Sequence, residues 1–542
     1  MDTSDRLSLL GLSAAVLTAI LALLPSCLSP RRWRHKVSIL CCLMFLLICL
    51  IDSYCQITLG APISPQVLST VLQTDGREAA EYLTTFVSPA LLADWHIETL
   101  LLLTILLVIP LPARKIPPPA LLCSLIVLIA IQLPSTFQCL RLFRQSNDTK
   151  MAENLIFHHH LAELSTPLHR LLFAAYSCMQ TSRQLETMKT STFCAKIDSC
   201  SYLSPHIVLV IGESYNKHHS SLYGYTLKTT PLQQQREKDG ELIAFSNVVT
   251  PWNITSNVFI DLFSLWEYGM EASQPHLPMF PILFRRAGYE VNFTSNQYRL
   301  RGLRKGQTNQ AGNFFLADRT MSDSLFTHRI PSGTAFDMEF LRQFVKNKKQ
   351  WGQAAYTLDI IHLIGQHFNY AHRYPSQHTV FTPSDYTHRS LSHKEKQTVA
   401  HYDNATRYND DVLDSLLTLY ESEEAVVVFV ADHGEEVYDE TPVQGRLFHK
   451  PTAPIARQEY EIPMWIWSSE SYRKKHPDVV RQIKAAKDKP FITDALPQLL
   501  LHLAGIKCRW TNQQRNLLLP QYKSKPRIIA GCVDYDSIAN IR

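Results

Sequence analysis

The sequence predicts an α/β protein preceded by a helical transmembrane domain. Three observations predict it. Uncharged apolar runs crowd the first 135 residues and thin out afterwards. From about residue 205, short β-branched strands alternate with helical patterns, as in a domain with a mainly parallel central sheet flanked by helices. Two of those strands, His206-Ile-Val-Leu-Val-Ile-Gly212 and Ala425-Val-Val-Val-Phe-Val-Ala431, run directly into Glu213-Ser214 and Asp432-His433-Gly434-Glu435. Fully buried parallel strands read as such unbroken aliphatic runs. In open α/β sheets, ligands gather at the carboxyl ends of the strands.

The apolar runs cover residues 8–28, 37–58, 97–113 and 117–135. A helix needs about 20 apolar residues to cross the hydrocarbon core. The first two runs have that length. The others are interrupted by Pro110, Pro112 and Pro117 to Pro119, yet read as spans rather than core helices. Arg31, Arg32, Arg34, His35 and Lys36 follow the first run, and Arg114 and Lys115 follow the third. The positive-inside rule places both basic loops in the cytoplasm and the chain after about residue 136 outside. No basic stretch precedes the first span and another span follows it, so it reads as retained rather than as a cleaved signal. The expected organisation is a transmembrane domain at 1–135, a connector with membrane-surface helices at 136–204 and an exported domain at 205–542. Leu155-Ile-Phe157 and Leu168 to Phe173 are the connector's amphipathic patches. The His158 to His160 triplet reads as a solvated helix face.

At 542 residues the chain is too long for one ordinary core. A net charge of +5, with 19% charged residues, is too mild for a nucleic-acid binder. Cys27, Cys41, Cys42, Cys49, Cys55, Cys123 and Cys139 lie in or beside the spans and read as thiols. Export would let Cys194 oxidise with Cys200 and Cys508 with Cys532, leaving Cys178 over.

Within the exported part the expected strands are 206–211, 289–294, 355–361, 425–430 and 463–467, and the expected helices include 396–421 and 490–504. Glu213 at one strand end and Asp432-His433 at another can converge on one cation. Carboxylates with imidazole suit zinc better than magnesium or calcium, which prefer all-oxygen shells. Between these strands, Thr255 opens an apolar helical run that continues to Phe263 and Ser264. A helix start offers backbone N–H groups to an anion such as phosphate. A metal-bound hydroxyl is also acidified into a nucleophile. On sequence alone Thr255 reads equally as an ordinary N-cap, with Ser256 as a rival. His367 and His449, as lone residues, read as core or surface histidines.

A wider pattern connects these pieces. Gly212-Glu213-Ser214, Ser221-Leu-Tyr-Gly-Tyr225 and Thr229-Thr-Pro231 resemble the signature of the membrane phosphoethanolamine transferases, of the alkaline phosphatase/sulfatase superfamily. Arg286-Ala-Gly-Tyr289, Ser295-Asn-Gln297, Gly365-Gln-His367, Tyr370, Arg373-Tyr-Pro375, Tyr402-Asp-Asn404, Asp432-His-Gly-Glu435, His449 and Ala453-Pro454 follow in the family's order. Val71-Leu-Gln-Thr-Asp75 with Glu78 looks like its first periplasmic loop.

The resemblance implies an alkaline phosphatase/sulfatase-like domain in the periplasm, carried by a multi-pass anchor in a bacterial inner membrane. Glu213, Thr255, Asp432 and His433 would hold one catalytic Zn2+, with room for a second ion. Thr255 would be the nucleophile, with Ser214 a weaker alternative. His367 and His449 would sit near the transferred phosphate or a second metal, with His362 a rival to His367. The implied reaction moves phosphoethanolamine from phosphatidylethanolamine to lipid A, lipopolysaccharide core or another envelope glycan. It passes through a covalent phosphoethanolamine-threonine.

The chain departs from the family pattern in having one span fewer than many lipid A-modifying members. It also reads Gly-Glu-Ser for the common Gly-Glu-Thr and lacks their cysteines around the nucleophile loop. These departures bear on the acceptor rather than the reaction class. A phosphoglycerol transferase using phosphatidylglycerol is the alternative on the same fold. A sulfatase-type hydrolase ranks lower, since no Cys/Ser-x-Pro-x-Arg motif stands near the first metal strand. A degenerate, non-enzymatic binder would have lost a ligand, and all four positions are filled.

Overall fold

The structure, a computed structural model, describes residues 34–59, 62–73, 166–297, 318–331, 333–447 and 450–539, with isolated positions between 79 and 144 and at 316. These residues divide between two compact units, 1–183 with 447–450, and 184–446 with 451–542.

In the first unit, helix α1 (Arg34–Leu59) coincides with the expected span 37–58. Its segment Ile39–Leu59 is long and apolar enough to cross a membrane. The expected spans 8–28 and 97–113, and most of 117–135, lie outside the described residues. Helix α2 (Pro65–Gln73) follows, and α3 (Pro167–Phe193), which belongs to this unit as far as Arg183, takes up the amphipathic patch Leu168 to Phe173. Asp52 is buried in α1, where an isolated charge is costly. It is paired: Arg170 of α3 donates Nε at 3.1 Å and Nη2 at 2.5 Å. Gln56 Nε2 and the Ile63 N–H supply further donors to the same carboxylate. The histidine triplet lies outside the described residues.

Among the described residues, the second unit is built on a seven-stranded sheet. Its strands are β1 (His206–Gly212), β2 (Leu242–Ala244), β3 (Glu290–Ser295), β4 (His328–Pro331), β5 (Thr357–His362), β6 (Ala425–Ala431) and β7 (Met464–Ser468), in the order β2-β7-β6-β1-β5-β3-β4. All five expected strands form close to their expected bounds. β1 and β6 are the central pair, and Ile207 to Ile211 and Ala425 to Val430 are wholly buried.

The sheet is mixed rather than mainly parallel. β6, β1, β5, β3 and β4 run parallel, whereas β7 runs antiparallel to both of its neighbours. The apolar run Met-Trp-Ile-Trp-Ser is as deeply buried as the parallel strands, so composition carries no sign of its direction. The connection sets it. After β6 the chain stays at that strand's carboxyl end, and β7 begins with Met464 opposite Val430.

Helices α4 (Pro231–Lys238) and α6 (Pro281–Arg286) pack on β2 and β3, and α5 (Thr255–Phe263) lies between them in sequence. Helices α7 (Asp337–Trp351) and α8 (His393–Tyr420) pack on each other. α8 matches the expected helix 396–421 and starts with a reciprocal Ser392–Glu395 capping box. The expected helix 490–504 is corrected at its start. Phe491–Ile492 is a short strand parallel to Val248–Val249, and helix α9 begins only at Leu496, with Pro497 in its first turn.

The two expected disulfides do not form, since Cys194, Cys200 and Cys508 are free thiols. Cys200 Sγ points to the Ala504 carbonyl. Cys508 is buried in the main core, whereas Cys532 packs on a separate cluster around Tyr460 and Ile529.

Candidate metal centre

Strand register builds the centre. β1 and β6 pair with Gly212 opposite Ala431, so Glu213 and Asp432 leave the sheet side by side. The Asp432 N–H still donates to the Gly212 carbonyl, at 2.9 Å. One ligand atom each from Glu213, Asp432 and His433 lies within 4.8 Å of the others. His433 Nε2 is 3.5 Å from Glu213 Oε1 and 3.3 Å from Asp432 Oδ2. All three side chains are fully buried. Gly434 follows because nothing larger fits: a Cβ there would lie 2.1 Å from the Gln458 carbonyl oxygen.

Thr255 arrives on α5. It is the first residue of that helix, and the capping position belongs to Ile254, which makes no side-chain cap. The threonine hydroxyl is therefore not spent on capping. It donates to Glu213 Oε2 at 3.1 Å and lies 3.4 Å from His433 Nε2. Val258, Phe259, Leu262 and Phe263 anchor the helix in the core behind it. Its rival Ser256 is the next residue along the helix.

Ser214, the other rival, is a clamp on the two carboxylates. Its φ is +53°, a left-handed conformation uncommon for a serine. Its Oγ donates to Glu213 Oε1 at 2.7 Å and its N–H to Asp432 Oδ1 at 3.0 Å. The Tyr402 hydroxyl donates to its carbonyl at 2.6 Å, so the strained turn is tied from outside.

Two neighbours fix the His433 tautomer. Nδ1 lies 2.7 Å from the Gly434 carbonyl, which only accepts, so Nδ1 carries the proton. Nε2 lies 2.9 Å from Arg446 Nη1, which only donates, so Nε2 presents its lone pair inward. A carbonyl partner on the far nitrogen is the usual support of a metal-binding imidazole.

The electrostatics agree. Burial alone would raise Glu213, but the neighbouring His362 and His433 imidazoles hold its carboxyl well below the usual carboxylate range. Burial and the adjacent Glu213 charge push Asp432 well above it. Asp432 Oδ2 is buried and accepts no hydrogen bond. Two buried carboxylates, an inward lone pair and a hydroxyl form a donor set that fits zinc.

His362 and His367 occupy different places. His362, the rival, ends β5 with Nε2 3.8 Å from Glu213 Oε2 and Nδ1 3.0 Å from Ser295 Oγ. His367 is also buried. Burial pushes its imidazole down to about 3, with Glu213 opposing and Arg373 and Arg446 adding to the shift. His449 lies outside the described residues.

Two further side chains reach the centre without having been assigned a role from sequence. Gln297 Nε2 donates to Glu213 Oε2 at 2.7 Å and to the Leu363 carbonyl at 3.0 Å. It stands just past the end of β3, where the strand-end rule would have found it. Arg446 follows a two-residue strand in Gln444-Gly445-Arg446, a segment with no motif to mark it.

Fold and donor set together define an alkaline phosphatase/sulfatase-like α/β domain. Residues 205–506 match the family model described as Sulfatase, and the chain belongs to that family. It is similar to phosphoethanolamine transferase EptC of Escherichia coli strain K12, with 30% identity over 352 residues. That match covers 61% of this chain and 57% of the relative, so the chain spans little more than half of that protein's length. The crystal structure of the C-terminal periplasmic domain of E. coli EptC, in complex with Zn, superposes with a TM-score of 0.54 at 28% identity. It covers 64% of this chain and 96% of that one. The integral membrane lipooligosaccharide phosphoethanolamine transferase A of Neisseria meningitidis shares the fold, with a TM-score of 0.61 at 17% identity, over 93% of this chain and 88% of that one.

Proposed function

We propose that this chain is a zinc-dependent phosphoethanolamine transferase. It takes phosphoethanolamine from phosphatidylethanolamine and passes it to an envelope acceptor of the lipid A or lipopolysaccharide-core kind. The observation that carries the reading is the Thr255 hydroxyl, 3.1 Å from Glu213 Oε2 and 3.4 Å from His433 Nε2 at the opening of a helix. The names of the relatives and the Zn complex of EptC support it.

Glu213, Thr255, Asp432 and His433 would hold the ion. Zinc, when bound, acidifies a coordinated hydroxyl and polarises a phosphoryl oxygen. In the first half-reaction Thr255 Oγ attacks phosphorus and the bond from phosphorus to the diacylglycerol oxygen breaks. The threonine proton is given up to water as the bond to phosphorus forms, and the departing oxygen takes up one proton from water to leave as diacylglycerol, so the half-reaction balances. In the second, an acceptor oxygen attacks the same phosphorus, and Thr255 recovers its proton. His367, kept neutral by burial, steadies phosphoryl oxygens as a hydrogen-bond donor. His449 shares that role. The first turn of α5 adds backbone N–H groups.

A lipid donor gives a reason for the apolar helix α1. In this reading residues 1–135 form a multi-pass inner-membrane anchor, 136–204 the connector and 205–542 the periplasmic catalytic domain. The test is intact-mass spectrometry after incubation with phosphatidylethanolamine and zinc. The expected result is a gain of one phosphoethanolamine group on the wild type, mapped to Thr255 and absent from Thr255→Ala. An adduct formed only from phosphatidylglycerol, or acceptor turnover that survives Thr255→Ala, overturns it.

A further inference from the structure

Arg446 is a cation that faces the centre and has no part in the chemistry above. Its segment returns from the ligand loop: Gln444–Gly445 pairs antiparallel with Glu436–Val437, directly after Asp432 to Glu435. Gly445 turns the chain with a φ of +102°. The side chain is 17% exposed, and it is anchored on two sides. Its Nε lies 3.7 Å from Glu435 Oε2, and Glu435 is itself held by the Tyr370 hydroxyl at 2.8 Å. Its Nη1 lies 3.4 Å from the carbonyl of Asn253, two residues before Thr255. The same Nη1 donates to His433 Nε2 at 2.9 Å.

That last contact is the informative one. Nε2 has a single lone pair. It serves the guanidinium or an ion, never both. An ion that takes the lone pair strips Nη1 of its shortest hydrogen bond in a site nearly closed to water. A buried donor left unpaired costs about 1–3 kcal/mol, more when charged. The anchors at Glu435 and Asn253 keep the guanidinium beside the nucleophile, so its partner must come to it. A phosphoryl group in line with Thr255 brings anionic oxygens to that place, and the guanidinium fork matches them.

We infer that Arg446 is a phosphoryl-oxygen-binding residue: its Nη1 and an ion would compete for the one lone pair of His433 Nε2, and the N–H released by that competition would turn to the phosphate. This deepens the transferase reading and rests on it for the identity of the anion. The proposal predicts opposite effects on two ligands. Arg446 competes with the metal and recruits the phosphate.

The experiment uses the full-length wild type, Arg446→Gln and Arg446→Lys in detergent. Zinc affinity is measured by competition with a chromogenic chelator, and inorganic phosphate binding to the zinc-loaded protein by calorimetry. Arg446→Gln is expected to bind zinc as tightly as the wild type or more tightly. It should bind phosphate at least about tenfold more weakly, the loss of one charged hydrogen bond. Arg446→Lys, which keeps the charge but not the fork, should fall between them, and it carries the test if the glutamine variant does not fold. Unchanged phosphate affinity overturns the proposal. So does a parallel loss of zinc affinity, which would make Arg446 a structural prop, and so does a zinc-loaded wild type that binds no phosphate. Because the probe is inorganic phosphate, failure of the lipid-donor reading shows separately, in the mass experiment.

Discussion

Two buried aspartates on the strands flanking β1 are treated in opposite ways. Asp359, inside β5, has both oxygens occupied. Lys348 Nζ donates to Oδ2 at 3.0 Å, the Tyr420 hydroxyl at 2.8 Å, and Asn292 Nδ2 donates to Oδ1 at 2.8 Å. Asp432, just past β6, has Oδ1 fixed by the N–H groups of Ser214 and His433, while Oδ2 accepts none. Both side chains are wholly buried. A saturated buried carboxylate is a finished piece of structure, and leaving one oxygen open in the interior costs free energy. At Asp432 the fold carries that cost at the carboxyl end of a strand, beside Glu213 and His433. The contrast therefore separates what holds the sheet together from what the sheet is built to hold.

The strongest way to break the contrast is Asp432→Asn. Zinc affinity should fall by more than about 100-fold. The metal-free protein should melt no lower than the wild type, because one of two adjacent buried charges is gone. Chelator competition and thermal unfolding check the two halves. Next comes Asp359→Ala, which strands Lys348, Tyr420 and Asn292. It should cost about 2–3 kcal/mol of stability and leave zinc affinity unchanged. A similar loss of zinc affinity in both variants would erase the distinction.

Gln297→Leu sharpens it from the side. Removing this donor to Glu213 should weaken zinc about tenfold with little effect on unfolding.

The smallest effect concerns His219, another saturated group, with Nδ1 2.6 Å from Asp403 and Nε2 3.0 Å from Asp439. Burial opposes its charge, but Asp439 and Asp403 lift the imidazole to about 10. A pKa raised above its unfolded value contributes stability that is complete below the unfolded value of about 6.5 and lost as pH climbs. The advantage of wild type over His219→Gln in melting temperature should therefore shrink from pH 6.5 upward and vanish near pH 10. An advantage that grows with pH would refute this assignment.

What was legible in the sequence follows the same division. β1 and β6 stand out because burial on both faces leaves no polar alternation, and their ends mark Glu213, Asp432 and His433. Thr255 was visible as a helix start, although its freedom from capping was not, since that depends on where Ile254 lands. The direction of β7 was hidden, because parallel and antiparallel central strands are equally apolar. His367 was preferred to His362 from sequence, and only the end of β5 shows that His362 comes within 3.8 Å of Glu213. Arg446 was invisible for another reason. Its position depends on a hairpin two residues long, too short to leave a periodic signal.

The pairing of Gly212 with Ala431 has one more consequence, for how such a chain can vary over time. Exchanging one aliphatic residue for another along β1 or β6 changes packing by small amounts. Adding or losing a single residue turns Glu213 or Asp432 toward the opposite side of the sheet, 218 residues of intervening chain notwithstanding. The two strands are thus freer to drift in spelling than in length, and a one-residue indel inside either one takes the centre apart.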